Sequence, residues 1–541
     1  MGYFKAILFC VFVAFGGFLF GYDIGVISGC LIMPDFINRF GEPTGPGGAM
    51  ELSSSRQSLI TSLLSAGTFV GALAQALTAD SLGRRASIAF WAIVFTIGVA
   101  IQAGTTYSLA QIVFGRFFAG LGVGAMSAIV PLYNGEASPK RIRGALLALY
   151  QVLIVTGLFI SYCIDLGTSN LSGSASWRVP VGIQMAWGLI LLSAVAVLPE
   201  SPRHLLGKQK AEQARRAIAM LNNVPMNDPL VQEEMDELSE AIREENEGGK
   251  NGWIECFSHR NKLYWRTING MMLQFIQQLN GQNFYYYYGD TFFRSAGSAL
   301  SPYVIQVILG GVSVVGTIPG MYVVEKWGRR RALLIGAVWQ AICAIIVGLV
   351  GHFTLAPDNT PLDQLTPRNQ AGGKAFIAFA IIHVFAFNVF WGPVPWVYLG
   401  ESFPLRVRPK SIALGSATNW IWNFLLGFFS PNIAAKIGSL ITLIFFGMLI
   451  FGVVYVYLLV PETKGLSLEE VDEMYRSGVK PWNSSKWEPS SVHFKRLQSK
   501  EGTFAGQTTR RGNEREAELD SNLDREPVNE KSQATRPTDG A

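Results

Sequence analysis

Asp80-Ser81-Leu82-Gly83-Arg84-Arg85 closes one long apolar run, and Glu325-Lys326-Trp327-Gly328-Arg329-Arg330 closes another, 245 positions later (325 minus 80). Each is an acid, a short gap and Gly-Arg-Arg. Glu136-Ala137-Ser138-Pro139-Lys140-Arg141-Ile142-Arg143 is likewise echoed by Glu401-Ser402-Phe403-Pro404-Leu405-Arg406-Val407-Arg408, and Pro199-Glu200-Ser201 by Pro461-Glu462-Thr463. Three echoes in one order read as two copies of one unit.

The chain between these echoes is written for lipid. Hydrophobic residues make up 49% of 541 positions and charged residues 15%, against about a quarter charged in soluble proteins. A helix needs about 20 residues to cross the hydrocarbon core. Twelve apolar blocks of that order lie near 6–32, 57–79, 86–104, 108–131, 144–164, 180–198, 267–289, 302–324, 332–352, 374–399, 410–434 and 437–460. None alternates with period two, so the spans are helices and not barrel strands. The first block is too long for a leader and lacks a small-residue cleavage site, so it reads as a retained helix. Charged hairpins repeated between such runs point to a transporter of two halves. The net charge of +5 comes from bases at helix ends and does not argue for nucleic acid. The five cysteines show no metal spacing and read as buried small hydrophobes.

Arg84, Arg85, Lys140, Arg141, Arg143, Lys326, Arg329 to Arg331, Arg406, Arg408 and Lys410 all fall on one side of a twelve-span trace. That side is expected to be cytoplasmic, with both termini. Asn170-Leu171-Ser172 is then an external glycosylation signal, and Asn483-Ser484-Ser485 a silent one. The expected division is a six-helix bundle over 1–198, a polar insert with short helices over 199–265, a second bundle over 266–460 and a tail over 461–541. Beyond about residue 485 the tail is too polar to bury a core and is expected to be disordered.

Polar residues inside the apolar runs carry the functional signal. Gly17, Gly21, Gly25 and Gly29 recur every four residues, a ridge for close helix contact. Asp23 projects from the other face, and Arg116 in the fourth run is its expected partner. An acid at that depth either handles protons or forms a permanent pair that orients helices; both readings stay open. In the seventh run Gln274, Gln277, Gln278, Asn280, Gln282 and Asn283 place six carboxamides in ten residues with Gly281 among them. Unpaired amides are costly in lipid, so this run should face a wet cavity or a hydroxyl-rich ligand, unwound near the glycine. Interhelical hydrogen bonding is the plainer alternative. Asn419 and Asn423 share a face of the eleventh run, and the tenth ends Trp391-Gly392-Pro393-Val394-Pro395-Trp396, a proline hinge with an aromatic beyond it. Gln151 is a lone amide in the fifth run. His383 reads as a packed histidine. Gly120-Leu121-Gly122-Val123-Gly124 mimics a dinucleotide fingerprint, but with no preceding strand it reads as helix packing.

With these residues in view, the chain resembles the sugar porter family of the major facilitator superfamily, and most of all the fungal hexose transporters. The resemblance covers about 6–475. It rests on the two Gly-Arg-Arg loops, Pro199-Glu200-Ser201-Pro202-Arg203, Gln277-Gln278-Leu279-Asn280-Gly281-Gln282-Asn283 and Pro461-Glu462-Thr463-Lys464-Gly465. It implies an all-α membrane protein of two pseudo-symmetric six-helix bundles with a cytoplasmic helical insert, moving a monosaccharide by alternating access at the plasma membrane. It implies sugar contacts at Gln151, Gln277, Gln278, Asn283, Trp396, Asn419 and Asn423, and proton coupling at Asp23 and Arg116. It also implies a cytoplasmic charge network of Arg84, Glu136, Arg143, Glu325, Arg329, Glu401 and Arg408 that closes the outward-facing state. Ser313 and Asn388 stand where many relatives carry Asn and Glu. No bond is made or broken, so no enzyme, cofactor or metal is implied, and a monomer suffices. Proton symport is the expectation; a facilitator, a sensor that keeps the fold, and a carrier of another polyol or a pentose are the alternatives.

Overall fold

In a computed structural model of the chain, the described residues are 4–489, apart from 44–47, 139–142, 248–252, 295–300, 356–365, 405–406 and 467. Most of the tail expected to be disordered thus lies outside the described residues.

The first half contains α1 (Phe4–Cys30), the short α2 (Pro34–Phe40), α3 (Ser54–Ser81), α4 (Arg84–Ala103), α5 (Leu109–Ala137), α6 (Arg143–Thr168) and α7 (Ala175–Val197). The insert forms α8 (Pro202–Gly207), α9 (Ala211–Asn222) and α10 (Pro229–Glu247). In the second half α11 (Leu263–Gln278) and α12 (Gln282–Arg294) are followed by α13 (Pro302–Trp327), α14 (Arg329–Thr354), α15 (Pro367–Ala386), α16 (Val394–Glu401), α17 (Arg408–Ile437) and α18 (Ile441–Leu459); α19 (Leu468–Ser477) follows them. A two-residue strand pair after α2 is the only β-structure among the described residues. Among the described residues, ten helical stretches are long and apolar enough to cross a membrane, one running from α15 through α16 and one being α17 and α18 read through. The remaining crossing is the seventh, which no single helix covers because it is broken between α11 and α12. This makes the twelve crossings of the major facilitator fold. One expectation shifts: the sixth span starts at Ala175, five residues before the expected 180. The short insert helices begin with α8, started by Pro202 at its first turn and a Ser201 side-chain cap.

Glycines bring the backbones together. A Cβ at Gly21 would lie 1.7 Å from the Ile154 carbonyl oxygen of α6, and one at Gly157 would lie 2.2 Å from that of Phe18 on α1. The ridge on α1 therefore seats α6, which frees the Asp23 face for α5. The fingerprint-like glycines are packing surfaces too. Added Cβ atoms at Gly120 and Gly124 would meet the Leu64 and Thr68 carbonyls of α3 at 2.2 and 2.0 Å, and one at Gly122 the Trp91 carbonyl of α4 at 2.7 Å. In lipid, close backbone approach replaces hydrophobic association between helices.

Hydrogen bonds between the halves gather toward the face opposite the arginine loops. Tyr162 of α6 donates to the Tyr286 carbonyl of α12 at 3.1 Å, Gln306 of α13 to Ser28 Oγ of α1 at 3.1 Å, and Ser65 of α3 to Asn423 Oδ1 of α17 at 2.6 Å. The structure is thus closed on that face.

Candidate functional site

The break between α11 and α12 is built from three residues. Gly281 has φ +96°, a conformation costly for side-chain-bearing residues. Asn280 Oδ1 accepts the Gln282 backbone N–H at 2.9 Å, capping the new helix. A Cβ on Gly281 would stand 2.6 Å from the Phe445 ring. Gly281→Ala is therefore expected to lower the thermal midpoint in detergent and to slow transport at least tenfold, since strain and overlap each cost about 1–3 kcal/mol. A variant as stable and as fast as the parent would show that the joint straightens freely.

The break turns the amides inward. Gln277 Nε2 donates to the Trp391 and Gly392 carbonyls at 2.8 and 2.9 Å, and its Oε1 accepts Asn419 Nδ2 at 2.8 Å. The partner choice follows from the prolines. Pro395 has no N–H for the carbonyl four residues back, which is that of Trp391, and Phe387–Trp391 is a π turn closed by Gly392 N–H on Phe387 O at 2.7 Å. Gln277 supplies the missing donor. Expected from the sequence as a ligand contact, it has both amide hydrogens committed to the hinge.

Asn419 Nδ2 also donates to Gln274 Oε1 at 2.7 Å. Gln278 Oε1 accepts from Asn283 Nδ2 and, at 3.1 Å, from Asn423 Nδ2. Asn423 Oδ1 accepts Ser65 and, at 3.0 Å, the Tyr287 hydroxyl. Tyr286 joins the departing positions: its hydroxyl lies 3.0 Å from Ser313 Oγ and accepts Asn388 Nδ2 at 3.1 Å. Gln274 Nε2, Asn280 Nδ2, both amide atoms of Gln282 and Asn388 Oδ1 are buried without a hydrogen-bond partner. Such atoms suit a hydroxyl-rich ligand, because each unmet group costs about 1–3 kcal/mol. Two expected contacts stand apart from this network. Gln151 is half-buried, and Trp396, 37% exposed, lies beyond the hinge on α16. Tyr286, Tyr287 and Ser65 were missed in the sequence, although the run Tyr285–Tyr288 was a visible signal.

Asp23 and Arg116 are both fully buried and paired, Arg116 Nη1 donating to Asp23 Oδ1 at 2.9 Å. Arg116 Nε donates to the Ile60 carbonyl of α3 at 3.3 Å, while Asp23 Oδ2 and Arg116 Nη2 lack hydrogen-bond partners. The pair is thus half-satisfied.

The echoed loops fold into twin knots. Arg84 Nε donates to Glu136 Oε2 at 3.0 Å, its backbone N–H to Glu200 Oε1 at 2.8 Å, and Ser201 Oγ to Glu136 Oε2 at 2.5 Å. Arg329 Nε donates to Glu401 Oε2 at 2.9 Å, its N–H to Glu462 Oε1 at 2.8 Å, and Thr463 Oγ1 to Glu401 Oε2 at 3.1 Å. Each knot lies inside one half, so neither pair bridges the two. Glu325 is exposed, Arg408 is half-buried at the start of α17, and the side chain of Arg143 lies outside the described residues. Glu200 and Glu462, each in the Pro-Glu-Ser/Thr echo, are the helix-capping acids that the sequence pattern alone does not single out.

His204 breaks the symmetry of the knots. Its Nδ1 lies 2.7 Å from Arg84 Nη1, so the neutral ring accepts. Burial, then the Arg84 charge, lower its pKa from the ordinary 6.5. The unfolded chain therefore takes the proton first, and the contact contributes fully above about pH 6.5 and less as pH falls below it. Thermal midpoints of the parent are expected to drop between pH 7.5 and 5.5 more steeply than those of His204→Gln, which keeps an acceptor without titrating. Parallel curves would contradict this.

The profile of the family described as "Sugar (and other) transporter" matches residues 9–475. The chain belongs to the sugar transporter family. The transporter is 40% identical over 484 residues to the high-affinity hexose transporter HXT6 of Saccharomyces cerevisiae, covering 90% of this chain and 84% of that one. It is 40% identical to a low-affinity glucose transporter of Kluyveromyces lactis, covering 90% and 85%. Its fold matches the proton:xylose symporter XylE bound to 6-bromo-6-deoxy-D-glucose with TM-score 0.69 and 25% identity, covering 87% of this chain and 99% of that one. It matches the inward-open xylose transporter XylE from E. coli with TM-score 0.70 at 24% identity, covering 87% and 99%. The transporter is a multi-pass membrane carrier and not an enzyme.

Proposed function

We propose that this chain carries glucose and related hexoses across the plasma membrane by alternating access, driven by proton symport. The observation that carries the reading is the uncharged amide and tyrosine network around the α11–α12 break, with donors and acceptors left to meet hydroxyls. Gln278, Asn283, Asn419 and Asn423 bind sugar directly, Gln277 holds the hinge beside it, and Gln151 and Trp396 join from the other half and the hinge as the bundles rock. The relatives' names, hexose and glucose carriers, support the substrate class, and the proton:xylose symporter supports coupling. The basic face and both termini are cytoplasmic, the bundles correspond to 1–198 and 266–460, and Asn170 on the opposite face is exposed for glycosylation. The knots of Arg84 and Arg329 brace the bundle ends for gating, and Arg143, Glu325 and Arg408 serve the same gating charge network.

The test is uptake of labelled glucose into liposomes holding the purified chain, with and without an inward proton gradient, against a panel of hexoses, xylose and inositol. Hexose competition and gradient-driven accumulation are expected. Uptake that ignores the gradient would make it a facilitator, and stronger competition by xylose or inositol would move the substrate class. Absence of any flux would leave a sensor.

A further inference from the structure

Asn423 holds a contact that joins the halves and also blocks part of the site. Its carbonyl oxygen has two acceptor positions. Tyr287 from the same half takes one at 3.0 Å, and Ser65 from the other half takes the second at 2.6 Å. The Asn423 Nδ2 is on Gln278 at 3.1 Å. With the outer face closed, a protein hydroxyl therefore sits where a ligand hydroxyl would bond. Ser65 is 1% exposed, so water does not compete for that position. Opening the outer face parts α3 from α17 and must break this bond, which frees the Asn423 oxygen for cargo.

We propose that Ser65 Oγ substitutes for a sugar hydroxyl at Asn423 when the carrier closes its outer face without cargo, and gives way when it closes with cargo. Ser65 is then a positioning residue for the unloaded return step. The proposal rests on the sugar reading above. It follows that the second acceptor position of the buried Asn423 oxygen, the one Tyr287 does not fill, is left empty only in the unloaded crossing when the hydroxyl is removed; in the loaded crossing the sugar fills it. Net uptake requires both crossings, whereas exchange of sugar at equal concentration on both sides uses the loaded one alone.

The experiment compares net glucose uptake with equilibrium exchange in liposomes for the parent, Ser65→Ala and Ser65→Thr. Ser65→Ala is expected to slow net uptake about three- to tenfold, the worth of one hydrogen bond, with exchange within about twofold of the parent. Ser65→Thr keeps the hydroxyl and should keep the parent's ratio of the two fluxes. Equal slowing of both fluxes in Ser65→Ala, or no change in either, overturns the proposal. Should Ser65→Ala fail to reach the membrane, Ser65→Cys retains the size with only a weak donor and must show the same change of ratio. A parent that moves no glucose in either assay refutes the sugar reading itself, whereas an active parent with an unmoved ratio in the variants refutes only the role of Ser65.

Discussion

Gln277→Ala is expected to unfold at a markedly lower temperature than the parent and to transport at a few per cent of its rate or less. The side chain removes three bonds at once: two to the hinge carbonyls of Trp391 and Gly392, and one from Asn419. Leaving the two buried hinge acceptors unmet costs about 1–3 kcal/mol each, so the total is about 2–6 kcal/mol and falls on the proline hinge. Gln277→Glu separates hinge from ligand. It keeps an acceptor for Asn419 but offers the two hinge carbonyls one donor at most, when protonated, and should be markedly less stable than the parent. Gln278→Ala should behave differently. Its oxygen serves Asn283 and Asn423, donors of the sugar site and not of the proline hinge, so the expected change is about a ten- to hundredfold higher KM with a smaller fall in thermal midpoint than in Gln277→Ala. The measurements are thermal unfolding in detergent and uptake kinetics. A stable Gln277→Glu with only a raised KM would return Gln277 to the ligand contacts.

The second large effect belongs to the buried pair. Arg116→Leu strands the Asp23 carboxylate, and removing one partner of a buried pair costs about 3–5 kcal/mol. Protein yield and thermal midpoint should both fall sharply. Asp23→Asn keeps the shape and removes the titration. If Asp23 takes a proton in one facing state and yields it in the other, this variant loses accumulation of sugar above the outside level but retains exchange down a gradient. The check is alkalinisation of the medium on adding sugar, recorded for parent and variant. A parent with no alkalinisation, and uptake indifferent to an uncoupler, would make the pair purely structural.

Composition and the echoes were enough to place twelve crossings, because lipid length and charged hairpins are one-dimensional signals. The Asp23–Arg116 contact was legible for a related reason: an acid at that depth demands a base, and few were on offer. The division of labour among the amides was not legible. Which carbonyl lacks a donor depends on a proline in another crossing, so the hinge role of Gln277 needs α11 and α16 brought together. Ser65 was invisible because a serine in an apolar helix ordinarily bonds its own backbone. The knots carried a mixed lesson. The sequence pointed to Arg84, Glu136, Arg329 and Glu401, but not to each pair closing within its own half.

That self-containment makes the molecule divisible. Ser201 and Glu200 stay with Arg84 on the first side of the insert, where α8, α9 and α10 pack through Leu205, Ala214, Ile218, Val231 and Met235. On the second side Arg266 is tied to Asp472 at 2.8 Å and stacks on Tyr475. A chain severed within 248–252 would leave every one of these bonds inside a single fragment. Two fragments made from separate messages would then have only the lateral contacts between bundles to find, as two subunits of a heterodimer do.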